Sequence, residues 1–235
     1  MRMTTYALVA AAVLASPSAF AADLARPMPV KAVPYAPYVP AAYDWSGFYG
    51  GLNVGYGWSS GSGTISMGAA GSGPYSASGN GILGGVQLGY NWQTGAFVFG
   101  VETDFQASGG KGDVNGSAGA TTFTGSAKNP WFGTIRGRIG YAFDRWMLYA
   151  TAGGAYGKAT LDGTVSTTGP FSASSTYWTY VVGGGAEFAL WGNWTAKLEY
   201  LYAGTPDSVP VPPGTTAISG SGRTHVLRTG LNYRF

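Results

Sequence analysis

The sequence predicts an all-β protein, an eight-stranded antiparallel up-and-down transmembrane β-barrel. Three observations predict it. Eight segments alternate apolar residues with small or polar ones at period two. The connectors between them are alternately short and long. Charge is scarce, with Asp, Glu, Lys and Arg at 10% of 235 residues, against roughly 25% in an ordinary soluble domain.

The chain opens on an expected export signal, residues 1–21. Arg2 is a short basic start, Ala7–Ala15 is an apolar run too short to span a bilayer, and Ala19-Phe20-Ala21 has the small-x-small form of a cleavage site. Residues 22–44 are expected to form a periplasmic linker. Pro27, Pro29, Pro34, Pro37 and Pro40 favour extended polyproline backbone and build no core.

The barrel is expected over 45–235. The first strand, 46–58, sets Phe48, Leu52, Val54, Tyr56 and Trp58 against Tyr49, Gly51, Asn53, Gly55 and Gly57. The second, 80–92, sets Ile82, Val86, Leu88, Tyr90 and Trp92 against Gln87 and Asn91. The third, 96–106, sets Phe97, Phe99, Val101, Thr103 and Phe105 against Val98, Gly100, Glu102 and Asp104. The fourth, 130–143, sets Trp131, Ile135, Ile139 and Tyr141 against Thr134, Arg136, Arg138 and Gly140. The fifth, 145–158, is apolar on both faces, so its parity stays open. The sixth, 176–190, sets Trp178, Tyr180, Val182, Ala186, Phe188 and Leu190 against Thr179, Gly183, Gly185 and Glu187. The seventh, 193–203, sets Trp194, Ala196, Leu198, Tyr200 and Tyr202 against Thr195, Lys197 and Glu199. The eighth, 224–235, sets Leu227, Thr229, Leu231, Tyr233 and Phe235 against Arg228, Gly230, Asn232 and Arg234.

Short connectors fall at Gln93-Thr94-Gly95, around Asp144, and at Trp191-Gly192. Long, Gly/Ser/Thr-rich ones fall at 59–79, 107–129, 159–175 and 204–223, and are expected to be exposed loops. Leu161–Ser166 and Phe171–Thr176, with Gly169-Pro170 between, look like a ladder continued above the membrane. Short turns alternating with long loops are the pattern of outer-membrane barrels. A soluble sandwich would carry many outward charges and shorter strands. Aromatics at the strand ends, Trp45, Phe48, Trp58, Trp92, Trp131, Trp146, Trp178, Trp191 and Trp194 among them, are expected at the membrane interfaces.

Eight strands leave an interior only wide enough for side chains. Parity puts Glu102, Asp104, Glu187 and Glu199 there with Arg136, Arg138, Lys197, Arg228 and Arg234. An unpaired buried charge is costly, so these are expected to pair across neighbouring strands, Glu102 and Asp104 facing Arg136 and Arg138. Such a network would plug the barrel.

The opening Trp45-Ser46-Gly47-Phe48-Tyr49-Gly50-Gly51-Leu52-Asn53-Val54-Gly55 resembles the small alphaproteobacterial outer-membrane barrels of the outer-membrane immunogenic protein or porin-like family, relatives of the OmpA transmembrane domain. The closing Arg228-Thr229-Gly230-Leu231-Asn232-Tyr233-Arg234-Phe235 resembles the family's assembly signal, carried by Gly230, Tyr233 and Phe235. The resemblance implies export to the cell outer membrane and no enzymatic site. Implied partners are outer-membrane lipid and lipopolysaccharide, the barrel-assembly machinery with periplasmic chaperones, and host or surface ligands at the loops. It implies a role in envelope integrity and external contacts. The alternative is a porin-type channel for small solutes, and a lesser alternative is a lipid-modifying barrel enzyme.

Other chemistry finds little support. Bases are scattered singly, which argues against nucleic acid as a partner. One histidine and no cysteine supply no metal shell, and no cofactor is expected. Gly57-Trp58-Ser59-Ser60-Gly61 fits a nucleophile elbow in letters only, since no helix pattern follows it. His225 falls near the outer interface, roughly 25 Å above the last residue at ordinary rise and tilt. Its neighbours Thr224 and Val226 offer no catalytic partner.

Overall fold

The computed structural model describes residues 43–235. The expected signal and residues 22–42 of the expected linker lie outside the described residues. The strands are β1 (Gly47–Ser66), β2 (Ser72–Thr94), β3 (Phe97–Ser108), β4 (Lys111–Ala118), β5 (Thr121–Phe143), β6 (Trp146–Val165), β7 (Gly169–Ala189), β8 (Trp194–Ala203) and β9 (Ala217–Arg234). Every pairing is antiparallel, and β1 pairs with both β2 and β9, which closes the sheet into a ring. Closure leaves no unpaired edge within lipid, where each orphaned backbone group would cost several kcal/mol.

Nine strands make eight staves. β3 and β4 both lie between β2 and β5, β3 against their lower halves and β4 against their upper halves. They are one stave interrupted at Gly109-Gly110. Opposite this break, Asn129-Pro130 puts a register shift between Lys128 and Trp131 of β5. Pro130 has no N–H to give the ladder, and a bulge accommodates it. The bulge also exchanges the faces of β5: Thr134, Arg136 and Arg138 are buried below it, Thr121 and Phe123 above it.

The short turns lie where the sequence puts them. Gly95 and Gly192 take positive φ (61° and 53°), and Asp144 takes φ 52° in a two-residue turn, a conformation Asp tolerates better than most residues. The open parity of β6 resolves with Met147, Tyr149, Thr151 and Ala155 buried, and Trp146 and Leu148 outward. Met147 and Tyr149 are as apolar as the residues they alternate with, which hid the pattern.

Three of the four long connectors expected as loops are instead strand. β1–β2, β4–β5 and β6–β7 run on as ladders to tight turns at 67–71, 119–120 and 166–168. The 161–166 and 171–176 extension is part of one of them. Their alternation is real but has another polarity. Ser60, Ser62 and Thr64 on β1, and Ser172, Ser174 and Thr176 on β7, face outward, while Ile65, Phe123, Leu161 and Val165 are buried inside. Only 204–216 is irregular, and Pro206, Pro210, Pro212 and Pro213 stop it from joining the sheet.

Two bands of aromatic pairs encircle the wall. The lower holds Phe48–Tyr90–Trp92, Phe97–Tyr141, Trp146–Phe188 and Trp194–Tyr233–Phe235. The upper holds Phe105–Trp131–Tyr156–Trp178 and Tyr180–Tyr202–His225–Trp58. Between them lie Leu52, Val54, Val86, Leu88, Val101, Ile135 and Leu198, all exposed. Ten residues separate Phe48 from Trp58, about 25 Å at ~3.3 Å rise and ~40° tilt, the height of an outer-membrane apolar band. β1 then climbs about 20 Å further to Ser66 by the same arithmetic. Trp45 is the exception among the expected interfacial aromatics. It is 2% exposed and packs inside the lower mouth with Val98, Met147, Tyr149 and Ala189.

Candidate functional site

The interior is layered along the barrel axis. At the short-turn end is the Trp45 cluster. Above it come the charged side chains, and above those an apolar layer of Leu83, Ala155, Val181, Leu201 and Val226, with Phe132 against it. A second apolar cluster, Ile65, Met67, Ala118, Phe123 and Val165, sits at the far end.

Period two builds the charged layer. Glu102 and Asp104 are two apart on β3, Arg136 and Arg138 on β5, Lys197 and Glu199 on β8, so each pair points inward together. Glu187 comes from β7 and Arg228 from β9. Register then opposes unlike charges: Glu102 to Arg136, Glu187 to Lys197, and Glu199 to Arg228. All eight residues are between 1% and 5% exposed, so water screens them little.

The contacts go beyond adjacent strands. Arg136 donates to Glu102, to Asp104 (3.0 Å) and, across the interior, to Glu199 (2.9 Å). Lys197 reaches Glu102 at 2.8 Å rather than its register neighbour Glu187. Arg228 meets Glu199 (2.6 Å) and Asp104 (2.8 Å). Arg138 meets Glu187 (2.7 Å) and more loosely Glu102 (3.6 Å). Its guanidinium lies 4.2 Å from the Tyr149 ring centre and 5.6 Å from that of Tyr49.

Hydroxyls and amides add further hydrogen bonds to the carboxylates, while Asp104 Oδ1 has no partner among the described residues. Tyr49 donates to Glu102 (2.8 Å), Tyr149 to Glu199 (3.0 Å), Thr134 to Asp104 (2.7 Å), and Thr195 and Asn232 to Glu187. Gln87 links Asn53 to Asn232. Parity places most of these inward, but nothing in the sequence names them as partners. Tyr149 was out of reach because its strand shows no parity.

Two expectations need correction. Arg234 does not join the network. It lies at the lower mouth with its guanidinium 4.7 Å from the Tyr43 ring centre, two residues below Asn232, and makes no ion pair among the described residues. Four acids therefore meet four bases. Asp104, expected against Arg136 and Arg138, pairs with Arg136 and Arg228, since the narrow interior brings β9 within reach of β3.

The assembly-signal residues also have places in the packing. Tyr233 stacks edge-on between Trp194 and Phe235, and Phe235 is 78% exposed at the lower aromatic band. Gly230 faces the charged layer, where a Cβ would lie 3.0 Å from Gln87 Nε2 and 3.3 Å from Lys197 Cε. His225 is on the upper band, stacked on Trp58 and hydrogen-bonded through Nδ1 to the Tyr200 hydroxyl.

A closed antiparallel ring with a lipid-height apolar belt, two aromatic bands and inward charges defines an outer-membrane β-barrel. The chain belongs to the outer membrane protein beta-barrel domain family, whose model matches residues 7–235. It is similar to the 31 kDa outer-membrane immunogenic protein of Brucella melitensis biotype 1, with 37% identity over 99% of this chain and 100% of the relative. It is also similar to the 22 kDa outer membrane protein of Rhizobium leguminosarum bv. viciae, with 36% identity over 71% of this chain and 67% of that one. Among solved structures it matches Ail, the attachment invasion locus protein of Yersinia pestis, at a TM-score of 0.41 and 16% identity, covering 81% of this chain and 99% of that one. The family places the protein in the outer membrane and makes it a surface barrel.

Proposed function

We propose that this protein is a structural and surface-interaction barrel with a closed lumen, not an open solute channel. The observation that carries the reading is the interior stacking. A neutral four-on-four ion cluster lies between the Trp45 cluster and the Leu83–Val226 layer. A water path would have to cross two apolar layers and a set of charges already committed to each other.

The outward belt meets outer-membrane lipid and lipopolysaccharide, and the C-terminal aromatics engage the assembly machinery and its chaperones. The Ser/Thr-faced ladders above the upper aromatic band form the surface offered to external molecules. Several relatives are named immunogenic proteins, which fits a wall exposed to antibodies. His225 supports no catalytic reading, because its ring is engaged by Trp58 and Tyr200 and, among the described residues, no carboxylate bonds to it. The test is single-channel recording of the purified protein in planar bilayers. Wild type is expected to be silent, and stable conductance steps in most insertions would overturn the reading.

A further inference from the structure

Above the Leu83–Val226 layer the barrel is not filled. A cavity of about 360 Å³ extends from that layer towards the Ile65–Phe123 cluster at the far end. Small inward residues make the space, among them Ala77, Ala127 and Ala159. Its volume lies in the range of small-molecule sites, and its lining is mainly apolar.

Paired strands close the cavity on every side but one. β8 ends at Ala203, opposite Val181 of β7 and Thr224 of β9. Above that level β7 and β9 have no strand between them. The gap is covered by 204–216, which is held at its start: Gly204 donates to the Tyr180 carbonyl, Asp207 to the Trp178 carbonyl, and Thr205 exchanges hydrogen bonds with Gly222. From Val209 to Gly214, among the described residues, no hydrogen bond ties this segment to the wall. Val209 and Val211 turn apolar surface to the cavity.

The gap opens at a definite height. Its lower corners carry Trp178, Tyr180, Tyr202 and His225, the upper aromatic band, so it faces the outer-leaflet headgroups. Arg223 stands at its β9 edge, lines the cavity, is exposed, and makes no ion pair among the described residues. A guanidinium there suits an anionic group left at the interface while an apolar chain goes inward.

We propose that the cavity binds a single acyl chain carrying an anionic head, entering between β7 and β9 past the 204–216 segment, with Arg223 holding the head. The site lies above the charged layer and does not depend on whether the lumen conducts. The chain could be that of a free medium-chain fatty acid or one belonging to an outer-leaflet lipid, and the experiment separates these.

The protein is labelled at Leu and Val methyls and placed in lipid nanodiscs. One arm combines chain-deuterated lipid with protonated decanoate, the other protonated lipid with deuterated decanoate. Leu83, Val181, Leu201 and Val226 face inward, so bilayer chains outside the wall cannot reach them. Nuclear Overhauser transfer to these methyls in the first arm assigns a free fatty acid, and in the second a lipid chain. Transfer confined in both arms to outward methyls such as Leu52, Val86 and Leu227 overturns the proposal. Where decanoate binds, Arg223→Glu is expected to weaken it about tenfold while leaving decanol unchanged, as expected when the two differ only in head charge. Ala159→Trp, and independently Ala127→Trp, should abolish the inward transfer by filling the space. Inward transfer that survives both, with each variant folded by gel mobility, also overturns it.

Discussion

Replacing Arg136 with methionine removes a charge and leaves the volume nearly unchanged. The guanidinium serves Glu102, Asp104 and Glu199 together, and its Nε also donates to Thr134. The variant leaves four buried acids facing three bases. Breaking a buried ion pair from one side costs roughly 3–5 kcal/mol, because one negative charge is left uncompensated in the interior; Lys197 still meets Glu102, and Arg228 still meets Asp104 and Glu199. With a urea m-value on the order of 2 kcal/mol/M, the unfolding midpoint should fall by about 1.5–2.5 M. The assay is equilibrium urea unfolding in phosphocholine vesicles, read by the gel-mobility difference between folded and unfolded barrel. Glu199→Gln and the double variant complete a cycle. Restored neutrality should make the double less costly than the sum of the singles by about 1 kcal/mol or more. A midpoint shift below about 0.5 M for Arg136→Met, together with an additive double variant, would refute the reasoning. The charges would then be solvated, and the closed-lumen proposal would lose its main support.

Other outcomes follow from the same geometry. Phe235→Ser is expected to lower assembled protein and raise periplasmic degradation, measured by immunoblot of membrane and periplasmic fractions; unchanged levels would put the assembly signal elsewhere. Protease added to intact cells should cut first within 204–216, while the laddered 59–66, 72–79 and 111–118 resist, and cleavage at Asp144 would invert the topology. Gly89→Ala should destabilise by about 1–3 kcal/mol, because its Cβ would fall inside the space of the Tyr49 ring and displace the hydroxyl that serves Glu102; a neutral urea midpoint would refute the close approach. Above the membrane, the Ser172 hydroxyl and the Lys128 ammonium lower the Asp162 pKa, so their stabilisation is present above the ordinary carboxylate range and is lost as pH falls through the lowered value. Carboxyl-carbon NMR should show the Asp162 titration moving up in Lys128→Ala.

What the sequence reveals here depends on which solvent each face meets. Between Phe48 and Trp58 the outward residues lie in hydrocarbon and the inward ones among charges, so the contrast is sharp and strands, faces and interior charges can all be read. Above Trp58 the outward face meets water and becomes Ser60, Ser62 and Thr64, while the inward face is Gly61, Gly63 and Ile65. A ladder of serine and glycine resembles a loop when composition is judged alone. The partners of the charges were legible only as far as adjacent strands. Lys197 reaching past Glu187 to Glu102, and Arg228 reaching Asp104, depend on the diameter of the closed ring. The place of Trp45 in the lower mouth is not legible for a similar reason, since a Trp at a strand start can turn to the membrane or cover the mouth, and period two cannot decide before the strand begins.

Part of the glycine content, 40 residues in all, follows from the same constraint on diameter, while glycines such as Gly95 and Gly192 serve turns at positive φ. An eight-stave interior is only about two long side chains across. Arg136, Arg138, Lys197 and Arg228 must extend through it to meet acids on distant staves, and the wall opposite must be thin where they pass. Gly89 yields its space to the Tyr49 ring, and Gly230 yields to Lys197 and Gln87. Glycine weakens an ordinary strand by leaving nothing to pack. Here the missing side chain is the space another residue occupies, and the entropic cost of roughly 0.5–1 kcal/mol per glycine is set against the larger penalty of an unpaired buried charge. Glycines opposite its long side chains leave the room in which the layer's charges meet. Enlarging them should therefore act on the ion pairs before it acts on the strands that carry them.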